Sequence, residues 1–414
     1  MTTPPKTLVI GAGICGLSSA IWLRRAGHDV MLIDKDGPGA GASCGNAGLL
    51  AQWAMIPVNT PGIAKTGLKY MLDPNEPLFM QWRFFPKLVP WLLKFMSNAT
   101  DKGVRATVDG LMPLIGDSVS QHEALTRGTA AAKWITNSDI TYAYANRKAF
   151  DKESYGWNLR RELGYIPELV EGPAVQEAEP MAGPNIQCLA TLKGHGHILN
   201  PGAYCDALAQ VLQEEGGTIS QATVQDFDIK DGKVRAVITD QGTLPCDHAV
   251  VSAGIWSKEL MTKLGLKVVM EAERGYHLHL KNPSQMPRNP MMLVKGKFGV
   301  NPMSSGLRCA GCVELGSHNA PRSNAPLELI RKNIKWAFPD LEYDEAEEWM
   351  GFRPSTPDSL PLVGEIGGTG VFAAFGHQHI GLTAGPKTGR WVADLITGKR
   401  PNVDLSPYDA NRFG

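Results

Sequence analysis

Residues 7–34, TLVIGAGICGLSSAIWLRRAGHDVMLID, restrict the fold of this chain more than any other stretch. An apolar run leads into Gly11-x-Gly13-x-x-Gly16, an amphipathic helix follows, and a second apolar run ends at Asp34. That order of strand, glycine turn, helix and strand is the βαβ unit that grips a dinucleotide. The first glycine permits the tight turn, the second lets backbone approach a pyrophosphate, and the third lets the helix pack closely on the strand. Unpaired N–H groups at the helix start then face the phosphates. Asp34 ends the second strand, where a carboxylate can accept hydrogen bonds from ribose hydroxyls and disfavours a 2′-phosphate. NADP is therefore unexpected, and FAD and NAD both remain open at this point.

The rest of the chain narrows the class by exclusion. With 414 residues it exceeds one compact core. Its 41 basic and 41 acidic residues leave no net field to draw nucleic acid. Seven cysteines are scattered at 15, 44, 188, 205, 246, 309 and 312, and no secretory leader pattern precedes the strand near Thr7, so a reduced, cytoplasmic chain is expected. Cys309 and Cys312 have redox-pair spacing but lack a second pair at zinc spacing, so ordinary buried thiols and no metal site are expected. The aromatic segment 79–96, FMQWRFFPKLVPWLLKFM, carries Arg83, Lys87, Lys94 and two prolines, too many interruptions for a membrane span. It reads as a cover for a second domain or a subunit contact, with peripheral contact at the inner face of a membrane as the alternative. A homo-oligomer is left open.

Periodicity predicts helices over 59–72, 111–136, 201–215 and 325–338, and a strand at 140–144. Asp231-Gly232 and Gln241-Gly242, set between alternating runs, predict hairpins. The run 248–254, HAVVSAG, reads as a buried strand passing a cofactor. Strands are also expected within 274–316. Near the C-terminal end, 369–398 reads as strand, glycine turn and long helix, a second helix start able to hold negative charge. NAD occupies one such unit, whereas a flavin gathers charge at its pyrimidine edge on reduction, so this second start favours FAD.

Gly11-x-Gly13-x-x-Gly16 with Asp34, Gly45-Asn46-Ala47-Gly48, Val250-Val251-Ser252-Ala253-Gly254, Arg353-Pro354 before Thr356-Pro357-Asp358, and Gly376-His377 before Gly381-Leu382-Thr383 together resemble the FAD-dependent D-amino-acid dehydrogenases of the D-amino-acid oxidase and glycine oxidase superfamily. The resemblance implies an α/β (α+β) chain in which a Rossmann-like FAD domain is interleaved with a mixed or antiparallel-sheet substrate domain. Residues 1–52, 146–264 and 346–414 are assigned to the first, and 53–145 and 265–345 to the second. It implies noncovalent FAD, contacted by Gly11, Gly13, Ile14, Cys15, Gly16, Asp34 and Lys35, by Ser43, Asn46, Ala47, Gly48 and Leu49, by Val224, Ala253, Gly254 and Trp256, and by Gly376, Gly381, Leu382 and Thr383.

The implied reaction is oxidation of the Cα–N bond of a D-amino acid or related imino acid by hydride transfer to flavin N5, giving an imine that hydrolyses to a 2-oxo acid. Such chemistry needs a carboxylate anchor but no metal and no strong base. Arg353 is the expected anchor, since a guanidinium grips a carboxylate through two parallel bonds. Tyr276 is expected to add a second donor. Arg274, which has Glu271 or Glu273 as alternative partners, is a weaker candidate. His377 either contacts substrate or holds its loop. Gln52 and Trp53 are expected to line the pocket. Two departures from the family pattern concern the substrate: Gln378 replaces a glycine in the Gly-His-Gly-His turn, and Cys312 stands where a small hydroxyl residue is commoner. Glycine, sarcosine or hydroxyproline-type substrates remain alternatives, as do an NAD-dependent dehydrogenase and a non-catalytic flavin-binding subunit. The electron acceptor, oxygen or a quinone, is not written in the sequence.

Overall fold

The computed structural model describes residues 4–413. Its first layer is a six-stranded sheet in the order Leu362–Glu365, Val371–Phe375, His248–Val251, Lys6–Ile10, Asp29–Asp34, Thr218–Gln221. All neighbours run parallel except the first pair. Parallel strands covered on both faces read as continuous apolar runs. Leu8, Val9, Val250, Val251 and Leu32 are accordingly fully buried.

Helices Ile14–Arg25 and Gly381–Ile396 pack directly on one another. Gly389 permits that approach, because a Cβ there would lie 2.5 Å from the Ser18 backbone. Both helices therefore start at the same edge of the sheet. Both hairpins form as the turn residues predict, in a three-stranded antiparallel sheet of Val224–Lys230, Lys233–Thr239 and Gly242–Pro245.

The second layer is a ten-stranded mixed sheet, with the path Glu345–Ser355, Glu271–Lys281, Gly306–Leu315, Phe298–Met303, Met291–Leu293, Ile135–Tyr144, Cys188–Ile198, Leu49–Leu50. Strand pairing carries Cys188–Ile198 and most of Glu345–Ser355 into this sheet, although the expected boundaries placed 146–264 and 346–414 with the FAD domain. The chain crosses between layers more often than composition reveals, since a strand's partner is not encoded locally.

Three predicted elements shift. The helix expected over 111–136 is instead Asp101–Ile115 and Ser118–Thr126, then a 3-10 turn Ala130–Trp134. Thr100 starts the first by accepting from the Gly103 N–H at 3.0 Å, and Gly116 ends it. The helix expected from 59 begins at Ile63, after Gly62 at φ 91°. The strand expected at 140–144 extends back to Ile135.

The aromatic segment forms a short strand, Leu78–Met80, against Val313–Leu315, and then a helix, Phe85–Ser97, with Pro86 in its first turn. Its inner stripe, Leu88 and Trp91, packs on Leu315, and the Trp91 indole donates to Ser355 O at 2.8 Å. It covers the large sheet, as expected. Among the described residues no helix is long and apolar enough to cross a membrane.

Candidate active site

A cavity of about 470 Å³ opens where the two helix starts meet. Gly11 makes its turn at φ +101°, a backbone conformation that strains any residue with a Cβ. Gly13 is the N-cap of the first helix and Ile380 that of the second, and neither supplies a capping side chain. Ser43 Oγ takes one N–H of the first helix, from Ile14 at 3.0 Å. The N–H groups at the start of the second helix are left for a ligand, as a bound anionic or polarised group requires. Asp34 anchors the turn itself: one carboxylate oxygen accepts from the Ala12 N–H at 2.7 Å, the other from the Asp36 and Gly37 N–H groups at 2.8 and 3.0 Å. A carboxylate has about four acceptor sites, so room remains for a ribose hydroxyl.

Of the expected cofactor contacts, Gly11, Gly13, Ile14, Cys15, Asp34, Lys35, Ser43, Asn46, Val224, Ala253, Gly254, Trp256, Gly376, Gly381 and Leu382 line this cavity. Lys35 lies over the Trp256 ring, 4.0 Å from its centroid. Gly16, Ala47, Gly48, Leu49 and Thr383 stand behind the wall. Gly16 sits where a Cβ would meet Gly11 O at 1.8 Å, so it sets the helix–strand approach. Thr383 Oγ1 donates to Leu49 O at 3.1 Å and accepts from Ala51 N–H at 3.2 Å, tying the second helix to the glycine-rich loop. Phe352, Pro354 and Gln378 also line the cavity. Gln378 is the departure from the glycine turn that the sequence places near the substrate; Phe352 and Pro354 were not expected there, because they arrive from the large sheet, whose pairing is not encoded locally.

The substrate-side candidates separate by face. In the strand Glu271–Lys281 side chains alternate, and Tyr276, Leu278 and Leu280 pack in the cluster beneath helix Ala325–Ala337. Tyr276 donates to Glu314 at 2.5 Å and accepts weakly from the Ser323 N–H at 3.4 Å. Arg274, fully buried, pairs with Glu314 at 3.1 Å rather than with Glu271 or Glu273, and donates to Pro321 O at 2.6 Å. These two residues form a buried network under the 317–323 loop and do not line the cavity. Gln52 and Trp53 also lie off it. Trp53 packs edge-on against Tyr142, and Gln52 is half-buried with its N–H on Leu50 O at 3.1 Å.

Arg353 lies on the opposite face. Its guanidinium rests on Gly275, where a Cβ would come within 2.6 Å of Cζ. The glycine of Arg274-Gly275-Tyr276 is thus the residue of that motif that touches Arg353. Arg353 donates from Nη1 to Cys312 O at 3.0 Å, and among the described residues it makes no ion pair. Cys312 presents that carbonyl from a bulge, at φ +54°. Burial pulls the Arg353 pKa down, opposed by the Glu273 charge. His379 is an exposed residue just beyond the turn, close enough to Arg353 to feel its charge.

His377 is spent on structure. Its Nε2 bonds Thr388 Oγ1 at 2.9 Å and its Nδ1 lies 3.6 Å from Cys15 Sγ, so it joins both helices across the turn. Burial pushes its pKa to about 3. Gln378 takes φ +48° with its amide on Thr356 O at 3.0 Å, and His379 beyond it is exposed. A second space, of about 10 Å³, lies beside His379 and Gln378 and is lined by Ala54, Ile56, Pro57, Leu111, Ser359 and Ile380. All seven cysteines are free thiols, and Cys309 and Cys312 are buried. Among the described residues no group of three His, Cys, Asp or Glu could hold a metal.

Two helix starts with open N–H groups, an acid at the end of the second strand and an elongated cavity beside a large mixed sheet define a two-layer flavoprotein oxidoreductase. The chain belongs to the DAO family of FAD dependent oxidoreductases, whose model matches residues 6–395. It is 36% identical over 413 residues, 98% of each chain, to a D-amino-acid oxidase of Bradyrhizobium diazoefficiens. It is 27% identical over 411 residues, again 98% of each, to a D-amino acid dehydrogenase of Helicobacter pylori. Its fold matches glycine oxidase of Geobacillus kaustophilus, with TM-score 0.73, 21% identity and 99% of both chains covered. L-amino acid deaminase of Proteus myxofaciens matches with TM-score 0.76 and 16% identity, over 100% of this chain and 94% of that one. FAD is the family's cofactor, and the open helix starts and cavity suit it; the NAD alternative falls away.

Proposed function

We propose that this chain oxidises the Cα–N bond of a D-amino acid or related imino acid, yielding an imine that water converts to a 2-oxo acid. The observation that carries this reading is Arg353: it stands between two residues that line the cavity, Phe352 and Pro354, rests on Gly275, and makes one hydrogen bond and no ion pair among the described residues. A desolvated, unpaired guanidinium is costly unless a ligand anion completes it. A substrate carboxylate does so through two parallel bonds. FAD, held noncovalently at the two helix starts, supplies the two-electron acceptor. Arg353 fixes one end of the substrate. Tyr276 and Arg274 support the sheet from behind.

The outer face of the aromatic segment supports a further part of the reading, contact with an anionic membrane surface on the cytoplasmic side. Trp82, Phe85 and Leu93 are exposed there, Arg83, Lys87 and Lys94 flank them, and no acid falls between Glu76 and Asp101. Co-sedimentation with anionic vesicles, lost in Trp82→Ser/Leu93→Ser, tests it. The principal test is turnover of D-, L- and N-alkyl amino acids with detection of the 2-oxo acid, using oxygen and a quinone in parallel. Formation of 2-oxo acid from D-amino or cyclic imino acids supports the reading; its absence with every member and both acceptors overturns it.

A further inference from the structure

On the sheet face that carries Arg353, a second buried arginine makes no ion pair among the described residues, although the Glu347 charge, opposite His279 in the neighbouring strand, reaches it. Arg308, 8% exposed, pairs in register with His279. Its Nη1 donates to two backbone carbonyls of the glycine-rich loop, Cys44 O and Asn46 O, both at 2.8 Å. Its Nε has no partner among the described residues, and no carboxylate pairs with it. His277, two residues before His279 on the same face, bonds the intervening carbonyl, Gly45 O, through Nδ1 at 3.1 Å. Trp349 stacks on His277 with ring centroids 5.0 Å apart, and a Cβ on Gly45 would lie 2.2 Å from the Trp349 ring. Three consecutive carbonyls, those of residues 44, 45 and 46, are thus all drawn to one side.

Peptides in this chain are trans, so each N–H points opposite to the carbonyl of the same peptide unit. Holding those carbonyls against Arg308 and His277 turns the N–H groups of Gly45, Asn46 and Ala47 away from the sheet. Asn46 N–H reaches Ser43 O at 3.3 Å, while those of Gly45 and Ala47 have no acceptor within the described residues. Ser43 and Asn46 of this loop line the large cavity. Behind this part of the wall, two N–H groups without an acceptor among the described residues and a buried cation without an ion pair make an electropositive backing, of the kind that backbone nests present to anions.

We propose that Arg308, with His277, is a positioning residue for the cofactor: by gripping the carbonyls of residues 44–46 it holds the loop so that Ser43 and Asn46 stand in the cavity wall where FAD would bind, and its charge biases the site toward the cofactor's negative groups. The cost of burying an uncompensated guanidinium is offset when the charged cofactor binds. The proposal rests on the family's cofactor and not on the identity of the substrate, so it stands or falls separately from the reaction proposed above.

The test is FAD titration of apo-protein prepared from Arg308→Met, Arg308→Lys and His277→Phe, with the melting temperature of each apo-protein and the reduction potential of the bound flavin. Arg308→Met is expected to raise the FAD dissociation constant at least about tenfold and to shift the potential negative, with apo-protein melting unchanged or raised. Arg308→Lys should restore most of the potential but only part of the affinity, because the charge returns without the two-carbonyl grip. His277→Phe should weaken FAD with little change in potential. Unchanged affinity and potential in folded Arg308→Met overturns the proposal. So does a fall in apo-protein melting that accounts for the whole loss of affinity. If Arg308→Met does not fold, unaltered FAD binding by both Arg308→Lys and His277→Phe overturns it equally.

Discussion

Replacing Arg353 with methionine removes the anchor while keeping much of its bulk over Gly275. The guanidinium spends one bond on Cys312 O, at 3.0 Å, and makes no ion pair among the described residues. Two charge-assisted bonds to a carboxylate contribute roughly 1.5–3 kcal/mol each, so their joint loss is about 3–6 kcal/mol. At about 1.36 kcal/mol per factor of ten, kcat/KM for an amino acid should fall by about two to four orders of magnitude. Stability should change little. The lost bond to Cys312 O costs about 1 kcal/mol, while removing a desolvated cation returns part of that. The assay is steady-state kinetics on an amino acid and on the matching amine without a carboxylate, beside the flavin content of the purified variant. Arg353→Lys should recover about half of the logarithmic loss, since an ammonium cannot make the parallel pair. The reasoning is refuted if kcat/KM falls less than about tenfold, or if the amine lacking a carboxylate suffers the same loss.

Tyr276→Phe should lower stability by roughly 1–3 kcal/mol, because Glu314 loses a buried donor, and should leave KM within about twofold; a large rise in KM would return Tyr276 to the substrate. Gln378→Gly relieves a left-handed residue worth roughly 1–2 kcal/mol but loses the bond to Thr356 O, so melting should move little while turnover of bulkier side chains improves; an unchanged substrate profile would remove Gln378 from the pocket wall. Burial pushes the pKa of His377 and His277 to about 3 and of His122, His195 and His197 to about 4. All lie below the unfolded histidine value of about 6.5, so the unfolded chain binds more protons between those limits, and this stability is present above about pH 6.5 and lost as pH falls toward 4. Each histidine contributes a slope of up to about 1.4 kcal/mol per pH unit. Melting temperature should therefore drop on acidification below pH 6.5, and a flat profile down to pH 4.5 would contradict the assignment.

What could be read from sequence divides along physical lines. The turn from Gly11 to Gly16, the acid at Asp34 and the hairpin at Asp231-Gly232 are local: steric demand, helix start and turn type are fixed by neighbouring residues, and all three appear in the structure. The second helix start at Gly381 was legible for the same reason. Facing was not. Arg274, Gly275 and Tyr276 are adjacent, yet the alternation of the strand sends the first and third to the buried Glu314 and leaves only the glycine beneath Arg353. The sequence names the motif; the partner strand decides which of its residues faces the cleft. His377 and His379 likewise part, because φ +48° at Gln378 reverses the chain between them and leaves the first buried and the second exposed. The Arg308 wall was invisible, since its partners are backbone carbonyls more than 260 positions away.

The most direct measurement of the central claim is anaerobic titration of the purified, yellow protein with amino acids of either hand and their N-alkyl relatives. The account predicts that D-amino or cyclic imino acids bleach the oxidised-flavin absorbance in wild type and that the bleaching is strongly suppressed in Arg353→Met with its flavin still bound. A protein whose flavin no amino acid bleaches, or whose bleaching is indifferent to Arg353, would contradict it.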